Sequence, residues 1–475
     1  MKKIYISSIF IICLSFFAKA QYDHQNIELV GNWFDSTQVA ENTYGIKYNS
    51  VWGWVNPKNN VEYGILGSGK GTSIIDLSDP AHPKRVAFVK GRRAFCIWRE
   101  YKTYQNYLYA ISDDASPNSF QIIDMSYLPD SVHVVYDGTD IFEKGHTIFI
   151  DADKMYIGYA KGPNIPKGVS SMSVYSLTNP EKPVLLRSLN DDDSLVGYAH
   201  DMFVRNDTVY ASCGNQGLYI YFYDKSANKF IPINVLGSYP NQGYNHSSAL
   251  TKDGKTLVFC DEVPRDRSVK VLDVSDIHNL SIATTFKSTE GATAHNPYIK
   301  DNKYVIIAYY QDGLQIFDIS DPKNPYRTGY FDTDTIDGIK NNYNINGSPY
   351  HGNWGAYIDL PSRLILASDM QNGLFVLNPT IALGITDNKN IPSISLALYP
   401  NPATDHVSVK FTLTNSDRIT YEVFDITGKR ILSIIKNERA GTIQEAISLT
   451  SISKGMYALK ISGKGIYGSA KFVKE

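Results

Sequence analysis

Five of the ten histidines recur at one local position. His146, His200, His246, His295 and His351 each precede an apolar or alternating stretch, and they are separated by 54, 46, 49 and 56 residues. Neutral imidazole is a good ligand for zinc, copper, iron or nickel. Three or four such groups converging with one position left open would hold a transition metal and activate water or oxygen at it. The competing use is mechanical, with each ring packed between neighbouring repeats and both nitrogens hydrogen-bonded. Two earlier repeats carry Asn49 and Trp98 in the same slot, so it accepts other residue types. Trp52, Trp54, Trp98 and Trp354 fall near the histidines, and their ring planes suit a sugar or peptide ligand. Asn49, Trp98 and Trp354 are therefore candidate ligand-binding residues and the five histidines candidate metal ligands. No residue is assigned a catalytic role.

Other chemistry is weaker or absent. Asp261, Glu262 and Asp266 lie in "CDEVPRDRS" and offer oxygens to calcium, but Arg265 and Arg267 favour a solvated acidic loop. "LNDDDSL" lacks the ligand spacing of a calcium loop. "GSGKGTS" lacks the phosphate-loop spacing and precedes no helix. There is no Gly-x-Ser-x-Gly elbow and no His-Glu-x-x-His.

The elements that position the histidines form a repeat of about 50 residues. In the clearer copies two strands make a hairpin after the histidine. Asp153, Asp207, Asp253 or Asn302 stands at the turn, where positive φ is expected. A third strand then ends in an Asp or Ser that caps a turn, often with proline, as in "GLQIFDISDPKNP" and "TSIIDLSDPAHP". A fourth strand completes the repeat. Four strands repeated in this way are the signature of a β-propeller. Aligning Asn49, Trp98 and the five histidines gives seven repeats, hence seven blades over residues 22–380. The last repeat lacks a fourth strand, and "LVGNWFD" near the N-terminus resembles "YRTGYFD". Residues 27–38 are therefore expected to complete the last blade and close the ring, which removes exposed sheet edges.

Hydrophobic residues make up 43% and net charge is −2, an ordinary globular balance with no basic stripe, which argues against nucleic acid. Residues 1–20 read as a secretory signal peptide: Lys2 and Lys3, an apolar core to Phe17, and Ala18-Lys19-Ala20. That apolar run is too short to span a bilayer, and no later segment is a transmembrane candidate. Cys96, Cys213 and Cys260 remain beyond the signal. Their sparse, odd count argues against a disulfide framework. A Cys213–Cys260 bridge and three buried thiols both remain open at this stage.

Residues 381–392 read as a linker, and residues 393–475 as short alternating strands of a small β-sandwich. "YPNPATD" (Tyr399–Asp405), "VFDITGKRI" (Val423–Ile431) and "SKGMYALKI" (Ser453–Ile461) resemble the C-terminal sorting domain of type IX secretion substrates. The resemblance implies recognition by the type IX machinery and delivery to the outside or outer-membrane surface of a Gram-negative cell. "GLQIFDISDPKNP", "GHTIFID", "AHDMFV" and "AHNPYIKDNKYVIIAYYQDG" are similar to the LVIVD-repeat propellers of the choice-of-anchor B family. That similarity implies a secreted propeller with a surface-attachment signal and supplies no chemistry. The expected fold is thus all-β, a seven-bladed propeller followed by a sandwich. The expected function is binding of a surface ligand, protein or glycan, with a metalloenzyme and a purely structural adhesion protein as alternatives.

Overall fold

A computed structural model describes residues 22–334, 350–384, 394, 396–425, 430–463 and 466–475. The expected signal peptide and most of the expected linker lie outside these residues. The chain is all-β and divides into two compact units at Gly384/Ile385.

The N-terminal unit consists of seven antiparallel sheets of four strands, six of them built from four successive strands and one of these six with a short added strand, His24–Gln25. The first strands are Tyr48–Val55, Arg99–Tyr104, Thr147–Asp151, Asp201–Arg205, Asn245–Leu250, Asn296–Lys300 and Asn353–Tyr357. Each touches the first strand of the next sheet, and the seventh touches the first. The seventh sheet takes its fourth strand from the other end of the chain. Glu28–Trp33 pairs antiparallel with Gly373–Asn378 in the register Glu28↔Asn378 to Trp33↔Leu374. There Gly31 is needed for close approach, since a Cβ on it would meet the Pro80 carbonyl oxygen at 2.2 Å.

One device ends the third strand of every sheet. Asp76, Asp124, Ser176, Asp224, Asp273, Asp318 and Asn378 each accept the backbone N–H two residues on, at 2.7–3.2 Å. A short polar side chain at this place satisfies an amide that the ladder has released and turns the chain towards the fourth strand. The first turn of each hairpin differs from expectation at some repeats. Asp207 does adopt positive φ, but in its neighbours the left-handed residues are Ala152, Gly254 and Asp301, not Asp153, Asp253 and Asn302. The loops 152–153 and 206–207 are equally long and differ in turn type, with only Ala152 left-handed in one and both Asn206 and Asp207 in the other, while the longer loops of the other two hairpins place the left-handed residue elsewhere.

The sheets are held by apolar layers between them. Ile65, Ile74, Tyr101 and Ile123 fill one such layer, and Leu257, Phe259, Ile220 and Leu272 another, all buried. Cys96, Cys213 and Cys260 are free and buried, so they act as small apolar fillers.

The C-terminal unit has a three-stranded sheet (Ala397–Tyr399, His406–Leu413, Gly441–Ser448) and a four-stranded sheet (Arg430–Glu438, Asp417–Asp425, Gly455–Ser462, Tyr467–Lys474). Alternate residues of both sheets, including Val407, Val409, Tyr421, Val423, Leu459 and Ile461, share one buried cluster. Their period of two is the pattern of a strand with one face in a core.

Candidate functional site

The seven first strands surround a cavity of about 330 Å³. Alternate residues of a strand point to the same side. Accordingly Glu100 and Lys102, Thr147 and Phe149, Asp201 and Phe203, and Asn296 and Tyr298 face the cavity in pairs. Trp52, Ser248 and Trp354 line it from the remaining three sheets.

Four of the five histidines line this cavity and stand in a row. Ring centroids are 4.1 Å apart for His146 and His200, 4.2 Å for His200 and His246, and 4.3 Å for His246 and His295. The row continues to Trp354, whose ring centroid is 4.6 Å from that of His295. His351 does not line the cavity, and its Nδ1 faces Asp334 Oδ2 at 2.5 Å. The register explains the difference. A bulge places His246 between the pairs Asn245↔Asp261 and Ser247↔Cys260, and the same bulge places Trp354 between Asn353↔Asp369 and Gly355↔Ser368. Trp354, three residues beyond His351, is thus the structural counterpart of His246.

The slot is also displaced in the first two sheets. Counting back five residues from the hairpin ends Asp151, Arg205 and Tyr104 reaches His146, His200 and Arg99. Arg99, not Trp98, occupies the position. Trp98 still lines the cavity, with its ring 5.2 Å from Trp354. Asn49 does not line it: the residue is fully buried, and its Nδ2 donates to the Cys96 carbonyl at 3.3 Å.

Hydrogen bonds assign the protons along the row. His200 Nδ1 lies 3.1 Å from the His246 carbonyl and His295 Nδ1 lies 2.6 Å from the Trp354 carbonyl. A carbonyl only accepts, so both Nδ1 atoms carry hydrogen and both Nε2 atoms keep a lone pair. His246 Nδ1 is turned toward the His295 carbonyl but falls outside hydrogen-bond geometry. His146 Nε2 is 2.7 Å from His200 Nε2 and must donate to it, while its Nδ1 meets Asp113 Oδ2 at 2.6 Å. His146 therefore carries both protons and a positive charge. Burial opposes that charge most strongly, but the Asp113 carboxylate together with Glu100 and Asp201 outweighs it, and the His146 pKa lies above its ordinary value. Burial, then the neighbouring His146 charge, push His200 well below its ordinary value. Burial likewise lowers His246 strongly and brings His295 down to about 3. The row is thus one imidazolium followed by three neutral imidazoles.

The acids around it share the effect of burial. Burial raises Glu100 and Glu262 and brings Asp201 up to about 7, with Lys102 opposing the shift in Asp201. Lys102 Nζ sits 3.9 Å from the Trp52 ring centroid, a cation–π contact. Tyr310 donates to Glu262 Oε1 at 2.5 Å. Glu262, weighed from the sequence only as a calcium oxygen in a solvated acidic loop, is the residue whose place sequence reasoning misjudged. It does not belong to a solvated acidic loop; it faces the cavity, and its side chain is 12% exposed. Its neighbour Asp261 is buried against Lys270 Nζ at 2.7 Å. The available signal was position, since "CDE" closes the second strand of the His246 hairpin and so returns to the level of the histidine.

Residues 397–475 match the family described as the secretion system C-terminal sorting domain. No curated protein matches the chain. Among solved structures, the chain is similar to PorZ, described as an essential bacterial surface component of the type IX secretion system of Porphyromonas gingivalis. The match has 11% identity and a TM-score of 0.42, and covers 87% of this chain and 64% of PorZ, under two thirds of that protein's length. A protein from Lactobacillus plantarum matches at 10% identity and TM-score 0.47, covering 85% of this chain and 99% of that one. YCF48, solved bound to D1 peptide, matches at 8% identity and TM-score 0.46, covering 74% and 99%. Among the described residues no helix is long and apolar enough to cross a membrane. The C-terminal segment is a type IX secretion sorting tail, and it marks the chain for export to the cell surface or beyond.

Proposed function

We propose that the N-terminal unit is a seven-bladed β-propeller of the LVIVD-repeat, choice-of-anchor B kind, carried outside the cell by a sorting β-sandwich, and that it binds a glycan in its axial cavity. The closed ring of first strands and the turn cap common to all seven sheets support the propeller reading. Residues 22–380 and 393–475 are the two proposed domains, with residues 1–20 removed as a signal peptide.

The cavity lining carries the binding reading. Trp52, Trp98, Tyr350 and Trp354 offer ring faces, while Glu100, Lys102 and Asp201 offer donors and acceptors between them. Flat apolar faces alternating with polar groups match the two faces of a sugar ring, and aromatic planes bind at small entropic cost. Trp98 is the test residue because it is only half-buried, and a thermal melt of the variant separates loss of its packing against Tyr44, Tyr350 and Trp354 from loss of binding. Screening the purified protein against a glycan array, with tryptophan fluorescence as the binding signal, should identify a ligand. Trp98→Ala should weaken it by about 2 kcal/mol, the scale of an aromatic hot spot. A screen without any saturable quencher, or a Trp98→Ala protein that binds as well as the parent, would remove the glycan reading.

A further inference from the structure

We propose that His246 Nε2, His295 Nε2 and a carboxylate oxygen of Glu262 hold one divalent first-row transition-metal ion, with its remaining positions open to the cavity. The three side chains place one donor atom each within 4.8 Å of the others, and His246 Nε2 is 3.8 Å from Glu262 Oε2. Donors bound at about 2.0–2.2 Å to one tetrahedral ion stand roughly 3.3–3.6 Å apart, so the His246–Glu262 pair is near that spacing and the widest pair must close by up to roughly an ångström as the ion enters. The flexible stem of Glu262 can supply movement of this kind. Two imidazoles and one carboxylate are a donor set for zinc or iron that leaves positions for water or ligand.

The surroundings are arranged for ligation. The His295 Nδ1–H is tied to the Trp354 carbonyl, which fixes the ring and leaves Nε2 as a lone-pair donor. Tyr310 holds the far oxygen of Glu262 and leaves Oε2 towards His246. His246 is only 4% exposed, and its Nδ1 has no hydrogen-bond partner, so this ring is incompletely held by the protein itself. The other histidines are committed elsewhere. His146 and His200 use their Nε2 atoms on each other, and His351 faces Asp334. The ion therefore sits at one side of the cavity, between the fifth and sixth sheets, rather than at the centre of a ring of five.

This goes beyond the binding reading and does not depend on it: an aromatic-stacked glycan can bind with or without an ion. The test is titration of the chelator-treated full-length protein with Co²⁺, read by d–d absorbance and calorimetry. One equivalent should bind. Glu262→Gln, which keeps the shape of the side chain, and His295→Ala should both lose that equivalent, whereas His351→Ala should keep it. Tyr310→Phe should bind about tenfold more weakly, the scale of losing a partner that orients a ligand. Thermal melts of the variants separate loss of the site from loss of the fold. Failure to take up one equivalent, or uptake unchanged in both Glu262→Gln and His295→Ala, would overturn the site, whatever the glycan screen shows.

Discussion

Asp201 illustrates how this cavity sets the chemistry of its lining. Unfolded, its carboxyl ionises near 3.8; in the fold, burial moves that to about 7. Between those values the native chain keeps a proton that the unfolded chain has released. Stability therefore falls as pH rises through that window, and the loss persists above it. Asp201→Asn removes the ionisation without changing the shape. Its thermal midpoint should match the parent near about pH 4 and exceed it increasingly towards about pH 8. A difference that is constant with pH would mean that Asp201 is not the cause. At this scale the sequence was informative about recurrence and poor about partners. Four histidines do share a cavity, because strand spacing within a hairpin is nearly constant. His351 and Trp98 fell outside the slot because a bulge, or a loop shifted by one residue, moves a side chain to another face, and neither leaves a clear mark in composition. Glu262 was hidden by its neighbours: two arginines nearby suggest solvent, yet the strand end carries the residue inward.

Elements were more legible than contacts. The Asp or Ser after each third strand was readable as a turn cap because it acts locally, on the amide two residues away. Asp224 and the side-chain amide of Asn378 do the same work in less regular text, "YDKSAN" and "LNPT". Long-range pairing is harder to read, since nothing near Glu28 in sequence indicates Asn378; only the missing fourth strand of the last repeat pointed to it. The pairing makes a clear prediction. Deleting residues 22–34 would bare the edge strand Gly373–Asn378 and remove the fully buried Ile27 together with Trp33. We expect a loss of at least about 3 kcal/mol in denaturant titration, the scale of deleting one large core side chain, together with aggregation through the open edge. An unchanged midpoint and a monodisperse product would show that the strand is dispensable.

For the whole molecule, the two units have separate cores and separate tasks. The tail match spans residues 397–475, while the cavity belongs wholly to the other unit. In a host with type IX secretion, removal of residues 397–475 should leave the protein inside the outer membrane. Its N-terminal unit should still be folded, as judged by protease resistance and an unchanged melt of that unit. Appearance of the truncated protein in the medium in normal amounts would contradict the sorting role. The division was plain in the sequence because the tail motifs are local and ordered, whereas the propeller is a repeat whose blade boundaries depend on pairing between distant segments.

The strand Glu28–Trp33 also imposes an order of events. Glu28 and Asn378 are 350 residues apart, so the first segment of the unit to be synthesised is the last that can dock. Until the seventh sheet has formed, this segment has no partner edge, and joining ends so far apart carries a loop-closure entropy that local hairpins avoid. The ring therefore stays unlatched until the whole unit, through Asn378, is present. Closure of the ring thus reports that the unit is complete, because no shorter chain carries both halves of the clasp.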